Sequence, residues 1–194
     1  MNDPCPMLPP HPLQTNTARG FTAIELMVVI AIVATLTALA APSFRPIIEK
    51  WRIRDAADNF TSALYVARTE AIKRGGRVVL RKNPLNAQDC PSSDTIQDWG
   101  CGWFLYVDVN NNEIFDAGTD VMLQKSPPLK SLLFTNKASN VSYYKFDRWG
   151  KAGVTAMGFT LLPLPDGVSS PYVTTLCISS GGRVQRQEGD VACQ

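Results

Sequence analysis

The residues able to do chemistry are few and unevenly placed. The sole histidine, His11, stands in a polar, proline-rich stretch from residue 1 to residue 20. If that stretch is removed the chain has no histidine, and Ser-His-Asp and Cys-His catalysis and imidazole metal sites are then unavailable. No Walker A loop or dinucleotide glycine loop is present to cradle phosphates. Five cysteines occur. Cys5 sits among prolines near the start. Cys90, Cys101, Cys177 and Cys193 make an even set without CxxC spacing, which argues against zinc or thioredoxin-type chemistry. Among their possible pairings, the local ones, Cys90–Cys101 and Cys177–Cys193, close the shortest loops. They imply an oxidising compartment; the bland alternative is a set of free cytosolic thiols.

Two acidic features stand out. Residues 21–41 read FTAIELMVVIAIVATLTALAA, 21 residues with Glu25 as the one charge. Such a run is long enough to span a bilayer as a helix. A carboxylate in hydrocarbon costs several kcal/mol unless it is paired or lies near the interface, so Glu25 is a functional candidate by default. The plain alternatives are a buried core helix and a side chain that reaches the headgroups. The second feature is Asp108, Asn110, Asn112 and Asp116, whose oxygen-bearing side chains are spaced like the start of a calcium loop. Glu113 stands where such a loop has glycine, and Thr119 where it has its bidentate glutamate. A polar hairpin turn between 104–107 and 121–123 is therefore the expected reading, with no metal.

The elements that must position these groups follow from pattern. A chain of 194 residues suggests one domain, or one domain with an appendage. With 45% hydrophobic and 19% charged residues it reads as globular, and a net charge of +2 is too mild to imply nucleic acid by itself. Residues 43–74 read as an amphipathic helix with Ile48, Ala56, Phe60, Ala63, Leu64, Ala67 and Ala71 on one face, an irregularity near Pro46, and a stop at Gly75-Gly76. Strand-like runs follow at 77–82, 102–109, 121–124, 132–135, 141–146, 154–161, 173–179 and 183–185. One long helix followed by strands predicts an α+β fold, the helix packed on an antiparallel β-sheet domain.

Arg19-Gly20-Phe21-Thr22-Ala23-Ile24-Glu25-Leu26 resembles the processing motif of type IV prepilins, and Pro42 after the apolar run fits that family. The resemblance implies cleavage by prepilin peptidase between Gly20 and Phe21 and methylation of the new N-terminus. It also implies that Glu25 pairs with the N-terminal amine of a neighbouring subunit during assembly. The implied layout is a leader at 1–20, a transmembrane helix at 21–41, an amphipathic helix at 42–75 and a β-rich globular domain at 76–194. The order of elements, with Phe146-Asp147-Arg148-Trp149-Gly150 and Gly182-Arg183, resembles the GspH/FimT group of pilin-like proteins. That group implies a non-catalytic, cofactor-free minor pilin or pseudopilin of a type IV pilus or type II secretion filament. Its partners would be other pilin or pseudopilin subunits and the inner membrane, crossed once with the C-terminal domain in the periplasm. One feature reads the other way: Arg45, Lys50, Arg52 and Arg54 follow the run while Arg19 alone precedes it, opposite to the usual charge bias.

The FimT branch of that group resembles a DNA receptor for natural transformation, with DNA contacts in a terminal Gly-Arg-x-Arg motif. Here the segment reads Gly182-Arg183-Val184-Gln185-Arg186. Gln185 replaces the second arginine, and in a strand the one-residue shift places Arg186 on the opposite face. Arg183 and Arg186 are therefore the candidate DNA contacts of an alternative reading, a DNA-binding minor pilin. The plain reading is a solvated tail stapled by Cys193.

Overall fold

The structure is a computed structural model, and it describes residues 20–40, 44–84, 90, 95–137, 141–153 and 156–193. Arg19, Pro42 and the start of the expected strand at 154 lie outside the described residues. The chain divides into two units, Met1–Phe44 and Arg45–Gln194.

Among the described residues of the first unit is the helix α1, Ala23–Ala40. The Thr22 hydroxyl accepts the Glu25 amide N–H at 3.3 Å, so Thr22 caps the helix with Glu25 at capping-box spacing. Glu25 thereby sits in the first turn, where the helix dipole favours a negative charge. Thr35 and Thr37 donate their hydroxyls to the carbonyls of Ile32 and Val33, which satisfies both polar groups within the helix. Residues 23–39 are all exposed, and the helix is apolar around its whole circumference.

The second unit opens with α2, Arg45–Arg74. Pro46 falls in its first turn, where a missing N–H costs nothing, so it starts the helix instead of disturbing it. The buried face is Ile53, Ala56, Ala57, Phe60, Ala63, Leu64, Ala67 and Ala71. Ile48, expected on this face, is 46% exposed: the covered stretch begins one turn later, at Ile53. The alanines keep the helix surface low so that strands approach closely, and Phe60 fills the centre. The helix ends as the glycines require. Gly75 adopts φ 75° and the Gly76 N–H donates to the Ala71 carbonyl at 2.7 Å, the Schellman arrangement.

Among the described residues, eight strands form two four-stranded antiparallel sheets. The first has the order β3-β2-β1-β5, built from β1 (Val78–Lys82), β2 (Trp103–Val107), β3 (Val121–Lys125) and β5 (Tyr143–Phe146). The second has the order β4-β6-β7-β8, from β4 (Leu132–Asn136), β6 (Ala156–Pro163), β7 (Thr174–Ser179) and β8 (Val184–Glu188). Register places Leu80 opposite Leu105 and Tyr144 in the first sheet, and Phe159 opposite Leu176 in the second. Both inner faces converge on α2. The Phe60 ring meets Trp99, Trp103, Phe134 and Phe159 edge-on, with centroids 4.6 to 6.0 Å apart. Burying a Phe ring is worth about 1.5–3 kcal/mol, and edge-to-face contacts add to that.

Candidate functional site

The groups singled out from the sequence fall in separate places. Glu25 is exposed near the start of α1, held by the Thr22 cap. Around it Ile24 and Leu26 are 71% and 59% exposed, so an acidic residue stands at one end of an uncovered apolar surface. An apolar surface of this kind marks contact with lipid or with other helices. The α1 helix has 18 residues, about 27 Å at 1.5 Å per residue, against a hydrocarbon core of about 30 Å. Among the described residues no helix is long and apolar enough to cross a membrane.

The cysteines are joined as Cys90–Cys101 and Cys177–Cys193. The second bond ties the segment after β8 back onto β7. It packs over Gly158 of β6, where a Cβ would lie 3.1 Å from Cys193 Sγ. Lys137 reinforces this corner with an ion pair to Asp190 and a hydrogen bond to the Val191 carbonyl. The lysine, and secondly the Thr160 hydroxyl, hold the Asp190 carboxyl below its ordinary range against the opposing effect of burial.

In the loop between β2 and β3, Asp108 and Asp120 bind the loop backbone, Asp116 its side-chain amides, and Glu113 reaches β5. Asp108 is fully buried and accepts the amides of Asn112 and Glu113, each at 3.0 Å. Asp116 accepts the side-chain amides of Asn110 and Asn112 at 2.7 Å, which lowers its pKa. Asp120 accepts the amides of Val109 and Asp116. Glu113 is held by the Tyr143 hydroxyl and then by Lys145, and both lower its pKa. These contacts make the loop a self-closed hairpin turn. Among the described residues no group of three or more His, Cys, Asp or Glu side chains is arranged to hold a metal ion.

The two C-terminal arginines are separated. Arg183 is exposed in the turn entering β8, and its guanidinium makes no hydrogen bond or ion pair among the described residues. Arg186 lies on the face of β8 shared with Val184, which packs toward the core, and its Nη2 donates to Asp58 Oδ1 of α2 at 2.6 Å. The alternation of a strand thus sends the shifted arginine to a carboxylate on the helix.

Sequence reasoning missed what joins the two glycine-bearing motifs. Arg68 of α2 donates to the Gly181 carbonyl, and its side chain runs between two turns. A Cβ at Gly150, after β5, would approach Arg68 Cγ to 2.5 Å. A Cβ at Gly182, before β8, would approach Arg68 Nη1 to 2.9 Å. One arginine therefore bonds the turn before β8 to the helix and packs against the turn after β5. The Thr22-x-x-Glu25 spacing could have revealed the α1 cap, but nothing local to Arg68 signals its partners.

An apolar helix followed by a second helix against antiparallel sheets defines a pilin-like α+β protein. The minor pilin FimU from Pseudomonas aeruginosa shares this fold, with a TM-score of 0.51 at 20% identity, covering 73% of this chain and 92% of that one. In sequence the chain is 25% identical to the pilin-like protein PilA1 of Thermus thermophilus over 176 residues, 88% of this chain and 92% of that protein. It is 36% identical over 70 residues to a fimbrial protein of Pseudomonas aeruginosa, of which it spans less than half, 45%. The family described as type II transport protein GspH matches residues 56–182, most of the chain. The chain belongs to the GspH family. Proteins of this pilin-like family are structural, non-catalytic components associated with a pilus or pseudopilus, where they meet other pilin subunits.

Proposed function

We propose that the chain is a minor pilin or pseudopilin, a non-catalytic subunit of a type IV pilus or type II secretion filament. In this reading prepilin peptidase removes residues 1–20 by cutting between Gly20 and Phe21, and Phe21 is methylated. Residues 21–41 lie in the inner membrane before assembly, residues 42–75 form the supporting helix, and residues 76–194 form a periplasmic domain. Glu25 then meets the N-terminal amine of a neighbouring subunit, which gives a carboxylate in apolar surroundings the partner it needs. The observation that carries the reading is α1 itself, apolar on every side and exposed along residues 23–39. The disulfides fit an oxidising periplasm. The test pairs mass spectrometry of the mature N-terminus with filament incorporation of Glu25→Ala. A mature chain beginning at methylated Phe21 and loss of incorporation in the variant are expected. A different N-terminus, or normal incorporation, defeats the reading.

A second reading, a DNA-binding subunit for natural transformation, is favoured by Arg183 alone, whose guanidinium is exposed and open to phosphate. Arg186 is engaged with Asp58. A mobility-shift titration at low salt separates the two arginines. DNA binding that Arg183→Gln weakens and Arg186→Gln spares supports it, and no wild-type binding ends it.

A further inference from the structure

The first turns of α2 carry an unusual surface. From residue 44 to residue 54 four cations, Arg45, Lys50, Arg52 and Arg54, face a single anion, Glu49. None of the four makes an ion pair or hydrogen bond among the described residues. Interleaved with them, Ile47 and Trp51 are 51% and 64% exposed. Ile47, Lys50, Trp51 and Arg54 share one helix face by their spacing, while Arg45 and Arg52 project from the opposite side of the helix. With Pro46 and Tyr172, from the segment before β7, they line an open groove of about 400 Å³.

We propose that this surface docks on anionic phospholipid headgroups, seating the globular domain against the membrane before the subunit enters a filament. The proposal rests on the reading that residues 21–41 lie in the membrane. Its chemistry is complementary on two counts. Lys50 and Arg54 match lipid phosphates, and an amphipathic indole beside isoleucine suits the boundary between headgroup and acyl chain. A nucleic-acid backbone would use the cations but leave the aliphatic side chains without a partner. Continuity of the chain points the same way, since only residues 42 and 43 separate the apolar run from Phe44. The docking also gives the cations after the run a partner of their own, so their position no longer conflicts with a periplasmic domain.

The experiment uses the full chain carrying Trp149→Phe, which leaves Trp51 as the one exposed tryptophan, because Trp99 and Trp103 are buried. The protein is reconstituted into phosphatidylcholine vesicles, with or without phosphatidylglycerol, and Trp51 is quenched with neutral acrylamide. Quenching should fall several-fold when phosphatidylglycerol is present. That protection should vanish at about 1 M salt, where the Debye length is about 3 Å, and in the K50Q/R54Q variant, whose two side chains are exposed. Equal quenching in both vesicles overturns the proposal, as does protection that survives the double substitution. Protection by duplex DNA in place of phosphatidylglycerol also overturns it. Flotation with neutral vesicles reports separately on the span. Flotation without lipid-dependent protection removes this proposal alone, and protection without flotation keeps the surface and removes the span.

Discussion

Arg68 and Phe60 show how much single side chains of α2 hold in place. At Gly182, φ is 79°, and an added Cβ would lie 2.9 Å from Arg68 Nη1, which would have to shift. Gly182→Ala should therefore lower stability by more than about 1 kcal/mol. Part of that loss should disappear in an Arg68→Ala background, because the clash is then gone. Denaturant midpoints of the two singles and the double decide this, and strict additivity would refute the contact. Phe60, fully buried among four rings, predicts a larger loss: Phe60→Ala should cost about 3–5 kcal/mol in urea unfolding. The central place of Phe60 was legible from helical spacing. The role of Arg68 was not, since the Gly181 carbonyl it binds lies 113 residues away and no local pattern encodes it.

At the scale of elements, the β2–β3 loop and the C-terminal staple make opposite demands on solution conditions. Glu113 is held below its ordinary range by the Tyr143 hydroxyl and Lys145, and Asp116 by the amides of Asn110 and Asn112. A carboxylate depressed in the folded state contributes stability above its unfolded value, about 4. That contribution is lost as pH falls through the lower folded value. Stability should accordingly be insensitive to these groups from pH 7 to 5 and decline below about pH 4, and Asp116→Asn should flatten the decline. An unchanged acid slope in that variant would contradict the hydrogen bonding described. The staple responds to redox conditions instead. Cys177–Cys193 closes a separation of 16 residues, for which chain entropy predicts about 3 kcal/mol, read as the midpoint shift of a Cys177→Ser/Cys193→Ser variant. Each expected strand run overlaps an observed strand because alternation and turn residues are local signals. Their sorting into two sheets was not legible, since β4 pairs with β6 while β5 pairs with β1, and such pairings depend on contacts far apart in sequence. The same limit hid Asp58 as the partner of Arg186, although the strand period correctly separated the two arginines.

For the whole molecule, the core lies in the second unit, with α2 supplying its central ridge. A fragment of residues 45–194 should thus unfold cooperatively and remain soluble without detergent, as calorimetry and size-exclusion chromatography would show. A fragment beginning after Arg74 loses Phe60 and the alanine face and should expose both sheets and aggregate. The family and fold of the chain were legible from its first forty residues and the order of its strands. What escaped the sequence is that one helix serves two sheets. This arrangement has a mechanical meaning. Phe60 touches Trp103 of one sheet and Phe134 and Phe159 of the other, so tension applied along α2 loads both sheets in parallel. Neither sheet can peel away first while the shared ring stays seated. Under pulling from Arg45, rupture should come as one event at high force, and Phe60→Ala should split it into two weaker ones. In a filament under traction, the helix would then act as a keyed shaft whose load the domain resists as a single body.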